Sequence, residues 1–167
     1  MAIRPRIYTY EALKLNSRLD LDVQGSNHLI KVLRLKEKSE LRLFNGDGCE
    51  YLASITVAGK KNAQVEITEI LSTDSKISFP LHLGQGVSKG DRMDFTIQKA
   101  TELGITDITP LWSERCDVRL KGERLEKKME HWKKVAISAC EQSGRNHIPT
   151  IHPAMTYHEW ASSVESE

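Results

Sequence analysis

Hydrophobic and polar residues alternate with a period of two in the first part of the chain, which is typical of strands with one buried face. This pattern predicts strands over residues 6–10, 40–44, 51–57 and 63–71. Residues 45–48, Asn-Gly-Asp-Gly, favour a tight hairpin because Asn, Asp and Gly tolerate positive φ. Several short strands separated by turn residues predict a small barrel.

One short helix is predicted within this strand-rich part, over residues 28–34. Ser26 or Asn27 is placed to cap its N-terminus. Leu29, Val32 and Leu33 then fall on one face at helical spacing, so these three side chains are expected to be buried.

After a polar linker over residues 72–78, predicted strands alternate with predicted helices. The strands cover residues 81–87, 105–112 and 148–151, and the helices cover residues 91–103, 123–143 and 157–164. Gly104 is suited to end the first of these helices in a left-handed conformation. The apolar stripe of the long helix has spacing i, i+4, i+7, i+11 and i+14: Leu125, Met129, Trp132, Ala136 and Ala139. The alternation predicts βαβ units on a mostly parallel sheet, and three strands are few for such a sheet, so a longer domain is expected.

The composition is that of an ordinary globular protein. Of the 167 residues, 39% are hydrophobic and 28% are charged, which excludes wholesale disorder. Cys49, Cys116 and Cys140 form no C-x-x-C pair, which argues against a disulfide framework or a zinc knuckle. No apolar run approaches the roughly 20 residues of a membrane span, and the N-terminus lacks the apolar core of a signal peptide. A cytoplasmic protein without membrane contact is predicted.

Charge is uneven along the chain, although the net charge is only +1. Residues 1–42 hold nine basic and five acidic residues, and residues 115–134 hold eight basic and four acidic ones. Two such basic segments can create a local field that attracts phosphate groups. For either segment alone, the solvated faces of charged helices are the preferred explanation.

Familiar catalytic motifs are absent from the sequence. Residues 84–90 read G-x-G-x-x-x-G, one residue longer than a dinucleotide-binding fingerprint, and a tight turn before a helix is preferred. Lys89 and Arg92 are still placed to contact a phosphate at that helix N-terminus. His147, His152 and His158 have spacings that match no helical pair of metal ligands, so no metal site is predicted.

Three short segments carry candidate site residues. Lys99 and Glu102 are i, i+3 neighbours on a predicted helix, where they form at least a surface ion pair. Residues 113–116 follow the second strand of the alternating part, at the edge where open α/β sheets bind ligands. Glu141, Gln142 and Arg145 lie together at the end of the long helix, where Arg145 also complements the helix dipole.

Taken in order, these segments resemble one known family. The pieces KGDRMDFTIQKATELG, ITPLWSERCDV and ACEQSGRNHIP, between residues 89 and 149, are similar to the RsmE-type 16S rRNA uracil-N3 methyltransferases. The pieces PRIY, HLIKVLRL and LFNGDGCEYLASI are similar to the N-terminal PUA-like domain of the same family. The resemblance covers nearly the whole chain.

The resemblance implies a PUA-like RNA-binding barrel over residues 1–73 and the first half of a SPOUT (α/β knot) methyltransferase domain over residues 74–167. It also implies S-adenosylmethionine as cofactor, 16S rRNA of the small ribosomal subunit as substrate, and a homodimer. The family's cofactor pocket is built by a Gly-Pro-Glu-Gly-Gly-like loop and an Arg-x-Glu-Thr-like segment, and neither occurs here. The cofactor site is therefore expected in a missing C-terminal part, and the 167-residue chain is expected to be inactive.

Site residues are expected on both predicted domains. Arg115, Gln142 and Arg145 are the main candidates for the substrate side of the catalytic domain, and Lys99, Glu102 and Glu141 are weaker ones. Six basic residues are candidate RNA contacts, because phosphate contacts position an RNA: Arg4, Arg6, Lys31, Arg34, Lys89 and Arg92.

Two other functions stay open from the residues alone. One is a stand-alone RNA-binding module, which the missing cofactor loop favours. The other is an α/β protein that binds a small ligand and has no relation to the ribosome.

Overall fold

The computed structural model describes residues 4–73, 79–113 and 120–164. The chain divides into two compact units, residues 1–76 and residues 77–167. The first unit is built mainly of strands, and the second alternates strands with helices. Both units therefore have the secondary structure that the two hydrophobic periods predict.

The first unit is a five-stranded sheet with the order β1-β3-β4-β5-β2. Its strands are β1 (Arg6–Tyr8), β2 (Arg18–Asp20), β3 (Glu40–Phe44), β4 (Cys49–Val57) and β5 (Gln64–Thr73). β1 pairs with β3 in parallel, whereas the other neighbours are antiparallel. The side chains on the inner face of this sheet form one apolar cluster that includes Ile7, Leu41, Leu43, Ile55 and Ile67.

The predicted helix over residues 28–34 is wrong in its start and in its buried face. The helix α1 (Val23–Asn27) begins earlier, and Asp22 caps it by accepting a hydrogen bond from the Gly25 N–H. A π-helical turn then covers His28–Val32. Leu29 is fully buried as predicted, but Val32 and Leu33 are exposed, because the wider π turn rotates later residues away from the face that an α-helix would bury.

Ser26 does not cap a helix but joins two segments of the first unit. Its buried hydroxyl donates to the Leu21 carbonyl at 3.1 Å and accepts from the Ala63 N–H at 2.9 Å. This satisfies two backbone groups that would otherwise be buried without partners.

The second unit contains a parallel sheet with β6 (His82–Gly86), β7 (Asp107–Trp112) and β8 (Thr150–Ile151) in that order. A fourth strand, β9 (Met155–Thr156), pairs in parallel with the later part of β7. β8 lies beside Asp107 and Ile108, and β9 beside Leu111 and Trp112. The two short strands therefore act as one interrupted strand, with residues 152–154 between them.

Three helices complete this unit: α2 (Arg92–Leu103), α3 (Glu123–Ser143) and α4 (Tyr157–Val164). The apolar stripe predicted for α3 is confirmed, since Trp132, Ala136 and Ala139 are buried. Trp132 and Ala136 belong to the same cluster as Met93 and Ile97 of α2. This cluster also includes Ile108 of β7 and Ile151 of β8, so it packs the two helices against the sheet.

Candidate functional site

The carboxyl edge of the parallel sheet is the place where the topology favours a ligand. β6 and β7 run in the same direction, so the residues after Gly86 and after Trp112 come to this edge together. The Val87 N–H donates to the Leu111 carbonyl at 2.9 Å. The hydroxyl of Ser88 is buried and has no hydrogen-bond partner within the described part of the chain. Arg115, predicted to act at this edge, lies outside the described residues.

A second group of polar side chains lies where α2 and α3 end. Lys99 Nζ pairs with Glu102 Oε2 at 2.8 Å, and Gln98 Nε2 donates to Glu102 Oε1 at 3.0 Å. The hydrogen bond from Lys99 is the main cause that lowers the pKa of the Glu102 carboxyl. This carboxylate is therefore charged and fully engaged with neighbours on its own helix.

Arg145 joins the ends of the two helices. Its Nε donates to the Glu102 carbonyl oxygen at 2.8 Å, one of the last carbonyls of α2, which have no partner within the helix. Its guanidinium lies against Gly104, the C-cap residue of α2, which has φ +94°. Arg145 therefore fixes the end of α2, as well as following the end of α3.

This group lies away from the carboxyl edge of the sheet. In a βαβ unit the helix runs antiparallel to the strands, so the carboxyl ends of α2 and α3 lie at the amino edge of the sheet. Gln142 is exposed and Glu141 half-buried on the last turn of α3, just before Arg145. The topology thus brings Lys99, Glu102 and Arg145 together, but not at the carboxyl edge, where β7 ends at Trp112.

Arg6 differs from the other candidate RNA contacts because it is buried. Arg6 is 4% exposed at its side chain, and its Nε pairs with Glu50 Oε1 at 2.6 Å. Its guanidinium also covers the ring of Phe44 at 3.9 Å. Arg6 was expected to contact phosphate, but a cation buried in this way cannot be offered to a phosphate without breaking the pair, so its role is structural.

The other basic candidates are on the surface. Arg4 Nε pairs with Glu40 Oε2 at 2.7 Å, and both side chains are 46% exposed. Lys31 and Arg34 are exposed next to each other around the π turn. Lys89 and Arg92 are exposed around the N-terminus of α2. All of these are accessible to a polyanion.

A linked group of aromatic rings in the first unit was not predicted. Tyr8 lies edge-to-face with Phe44, their ring centroids 5.6 Å apart, and edge-to-face with Tyr10 at 4.9 Å. The signal in the sequence is the i, i+2 spacing of Tyr8 and Tyr10, which would put both on one face of the predicted strand over residues 6–10, although β1 ends at Tyr8. The contact with Phe44 depends on the parallel pairing of β1 with β3, which the sequence does not indicate.

Neither a metal-ligand cluster nor a membrane-spanning helix occurs among the described residues. In residues 4–73, 79–113 and 120–164, no three His, Cys, Asp or Glu side chains are grouped so that they could hold a metal ion. Over the same residues, no helix is long and apolar enough to cross a membrane.

Comparison with known families assigns both units. A model described as an RNA methyltransferase domain matches residues 75–167. A model described as an RNA methyltransferase PUA domain matches residues 21–68. The chain belongs to the RsmE family of RNA methyltransferases.

Two relatives of this RsmE-family chain have the same name. The "Ribosomal RNA small subunit methyltransferase E" of Buchnera aphidicola subsp. Acyrthosiphon pisum is 36% identical over 162 residues, 97% of this chain and 64% of the relative. The protein of the same name from B. aphidicola subsp. Schizaphis graminum is 39% identical over 149 residues, 88% of this chain and 60% of the relative. The chain therefore spans less than two thirds of the length of these curated relatives.

A solved structure extends the likeness to three dimensions. The crystal structure of a Ribosomal RNA small subunit methyltransferase E from Neisseria gonorrhoeae, bound to S-adenosyl methionine, superposes with a TM-score of 0.88 at 43% sequence identity. The superposition covers 95% of this chain and 65% of that chain. The predicted fold class, a PUA-like sheet followed by an α/β methyltransferase unit, is confirmed.

Proposed function

We propose that this RsmE-family chain carries the RNA-binding domain and the first part of the catalytic domain of a 16S rRNA methyltransferase. The reaction is transfer of a methyl group from S-adenosylmethionine to N3 of a uridine in the small ribosomal subunit. The observation that carries the proposal is the match of both domain models in order. The 43% identity to a cofactor-bound relative over 95% of the chain supports it.

The chemistry requires alignment of two substrates and removal of one proton. The N3 proton of uracil leaves before or during methyl transfer, which requires a general base or a polarising contact at the edge of the base. S-adenosylmethionine, when bound, supplies an activated methyl group, so the protein contributes orientation and electrostatics. Arg115 remains our candidate for the substrate side, because it comes three positions after Trp112, the last residue of β7, in the sequence.

The described residues offer little of a cofactor site by themselves. The buried Ser88 hydroxyl at the carboxyl edge is the feature there that points to a ligand. One hydroxyl does not hold both the adenosine and the methionine end of S-adenosylmethionine, and the sequence contains no Gly-Pro-Glu-Gly-Gly-like loop. Isothermal titration calorimetry on the 167-residue chain is expected to show no binding. A micromolar Kd, about 8 kcal/mol of binding free energy, would place the pocket within these residues.

RNA contact is proposed to come from exposed cations of both units. In the first unit these are Arg4, Lys31 and Arg34, and in the second they are Lys89 and Arg92. Such contacts fix the position of the RNA on the protein, whereas contacts to base edges select the nucleotide. A cytoplasmic location, where ribosomal subunits are assembled, is part of the same proposal.

A homodimer is also part of the proposal. Phe95 and Leu103 are exposed on the side of α2 away from the buried Met93 and Ile97. Two large apolar side chains on one outer helix face support packing against a second copy. Sedimentation velocity of the protein and of a Phe95→Ser, Leu103→Ser variant tests this, and a wild-type protein that stays monomeric at high concentration overturns it.

The decisive experiment uses the gene in its own organism. Deletion of the gene is expected to remove N3-methyluridine from 16S rRNA, measured by mass spectrometry of its nucleosides, and a plasmid copy should restore it. Small subunits from the deletion strain should then accept labelled methyl groups from S-adenosylmethionine when the product of the whole gene is added, whereas the 167-residue chain alone should not support transfer. Unchanged N3-methyluridine in the deletion strain overturns the proposal, and RNA binding without methyl transfer favours a stand-alone RNA-binding module.

A further inference from the structure

Tyr10 is a strongly exposed aromatic side chain on an otherwise polar segment of the first unit. Tyr10 is 71% exposed, whereas Phe44, at the other end of the same linked group of rings, is fully buried. Tyr8 lies between the two rings and contacts both edge-to-face. The three rings therefore form a series that starts in the interior and ends in solvent.

The buried end of this series is held by an ion pair. The Arg6 guanidinium lies 3.9 Å from the centroid of Phe44, and Glu50 fixes Arg6 at 2.6 Å. Burial raises the pKa of the Tyr8 phenol above its ordinary value of 10.0. Tyr10 thus rests on groups that are themselves restrained.

The backbone on both sides of Tyr10 is also restrained. The Thr9 N–H donates to the Phe44 carbonyl at 3.1 Å, and the Glu11 N–H donates to Thr9 Oγ1 at 3.2 Å. Asn45 Nδ2 donates to the Glu11 carbonyl at 3.3 Å. Tyr10 is therefore an aromatic ring presented to solvent by an anchored segment, which lowers the entropy that binding a ligand would cost.

We propose that Tyr10 is a stacking platform for one unpaired base of the RNA. This inference rests on the proposed function, because it names the part of the RNA that the first unit binds. Every nucleobase has an apolar face, and exposed aromatic side chains in RNA-binding proteins bind bases by stacking on that face. An edge-to-face contact with Tyr8 uses at most one face of the Tyr10 ring, so the other face stays available.

The surroundings of Tyr10 favour a base over a protein partner. The chain neighbours Thr9 and Glu11, and Asn45, which contacts Glu11, are polar, whereas protein interfaces use broad apolar patches. Residues 1–42 carry an excess of four positive charges, which attracts a polyanion. A flat apolar ring within a basic segment matches the chemistry of single-stranded RNA, which presents bases and phosphates together.

The test compares four forms of the chain in binding to a single-stranded fragment of 16S rRNA and to a duplex of the same sequence. The forms are wild type, Tyr10→Ala, Tyr10→Trp and the control Tyr157→Ala, which removes another exposed tyrosine from the second unit. Fluorescence anisotropy at several salt concentrations gives the affinity and its salt dependence. Melting temperatures show whether each variant is folded.

Stacking predicts a specific set of results. Tyr10→Ala should weaken binding to the single strand by roughly tenfold, with little effect on the duplex and no change in the salt dependence. Tyr10→Trp should bind at least as well as wild type, and RNA should quench the fluorescence of the introduced indole. Tyr157→Ala should bind like wild type.

The possible failures are distinguishable. If wild type binds the fragment and Tyr10→Ala binds it equally well, the stacking inference is overturned while the proposed function stands. An equal loss on duplex RNA, or an indole that RNA does not quench, also overturns stacking. If wild type binds neither RNA, the proposed RNA-binding role of the first unit is overturned.

Discussion

The guanidinium of Arg145 occupies the space that a side chain at Gly104 would need. A β-carbon built on Gly104 would come within 2.6 Å of Arg145 Nη1. The same arginine donates from Nε to the Glu102 carbonyl at 2.8 Å. The glycine at position 104 therefore leaves room for the long side chain at position 145. Their contact joins α2 to α3, although the two residues are 41 positions apart in the sequence.

Gly104→Ala is expected to destabilise the protein for two reasons. A non-glycine residue at φ +94° is strained by about 1 to 2 kcal/mol, and the new methyl group displaces the Arg145 guanidinium from its hydrogen bond, which adds about 1 kcal/mol. Urea unfolding followed by circular dichroism should show a loss of about 2 to 3 kcal/mol.

Gly144→Ala is the matched control for this substitution. Gly144 ends α3 with φ +80°, and a β-carbon there would meet no atom within 4 Å. Gly144→Ala should therefore lower the free energy of unfolding only by the cost of the backbone strain. In an Arg145→Ala background, Gly104→Ala should cost about as little as Gly144→Ala, and additive effects in this double-mutant cycle would show that the two residues are not coupled.

The Arg145 contact illustrates what the sequence could and could not predict. The apolar stripe over residues 123–143 and Gly144 after it predict the bounds of α3 correctly, because period and cap agree. The partner of Arg145 is a backbone carbonyl at the end of another helix, and no local sequence pattern predicts that contact. The predicted substrate-side role of Arg145 therefore depended on resemblance and not on its surroundings.

The first unit shows the same division between local and non-local information. The hairpin strands β3 and β4 follow from alternation and the Asn-Gly-Asp-Gly turn. β2 was missed because it has only three residues, with Leu19 between the charged Arg18 and Asp20. Arg6 was expected on the surface, since charged residues seldom lie inside, and its partner Glu50 is 44 residues away.

Arg6→Ala is expected to destabilise the protein far more than Arg4→Ala. Removing Arg6 leaves the Glu50 carboxylate, 13% exposed, without its closest cation, since Arg42 Nη1 is 3.5 Å away. Breaking such a buried pair costs about 3 to 5 kcal/mol. Arg4 and Glu40 are both half-exposed, so Arg4→Ala should cost at most about 1 kcal/mol. Similar unfolding midpoints in urea for the two variants would contradict a structural role for Arg6.

Asp94 is expected to contribute to stability in a pH-dependent way. Its burial raises the pKa of the carboxyl, but the hydrogen bond from His131 and the charges of Lys128 and His131 together lower that pKa below its ordinary value of 3.8. The folded state then binds fewer protons than the unfolded state. The stabilisation is therefore present above about pH 4 and is lost as the pH falls through the lowered pKa.

Asp94→Asn tests this contribution directly. Thermal melts between pH 2 and pH 7 should show that the variant is less stable than wild type at neutral pH and that the difference shrinks on acidification below pH 4. Glu123→Gln is the control, because Glu123 forms an exposed pair with Lys127 that contributes little. A difference between Asp94→Asn and wild type that does not change with pH would assign the effect of Asp94 to packing.

Reversal of Lys31 and Arg34 is expected to weaken RNA binding by removing phosphate contacts. Both side chains are exposed, and they lie on the π turn and immediately after it, within the basic residues 1–42. Each phosphate contact that is lost reduces the slope of log affinity against log salt by about 0.7 for a single strand. The double variant Lys31→Glu, Arg34→Glu should therefore bind 16S rRNA fragments more weakly at low salt and show a shallower slope.

The control for this double reversal makes the same change in net charge at another place on the unit. Lys60 and Lys61 are exposed on the turn between β4 and β5, within a segment where acidic residues outnumber basic ones. If RNA docks around the π turn, Lys60→Glu, Lys61→Glu should reduce affinity less and leave the salt slope near that of wild type. Equal losses in the two double variants would mean that RNA responds to the total charge of the unit, and the π turn would then not be the docking surface.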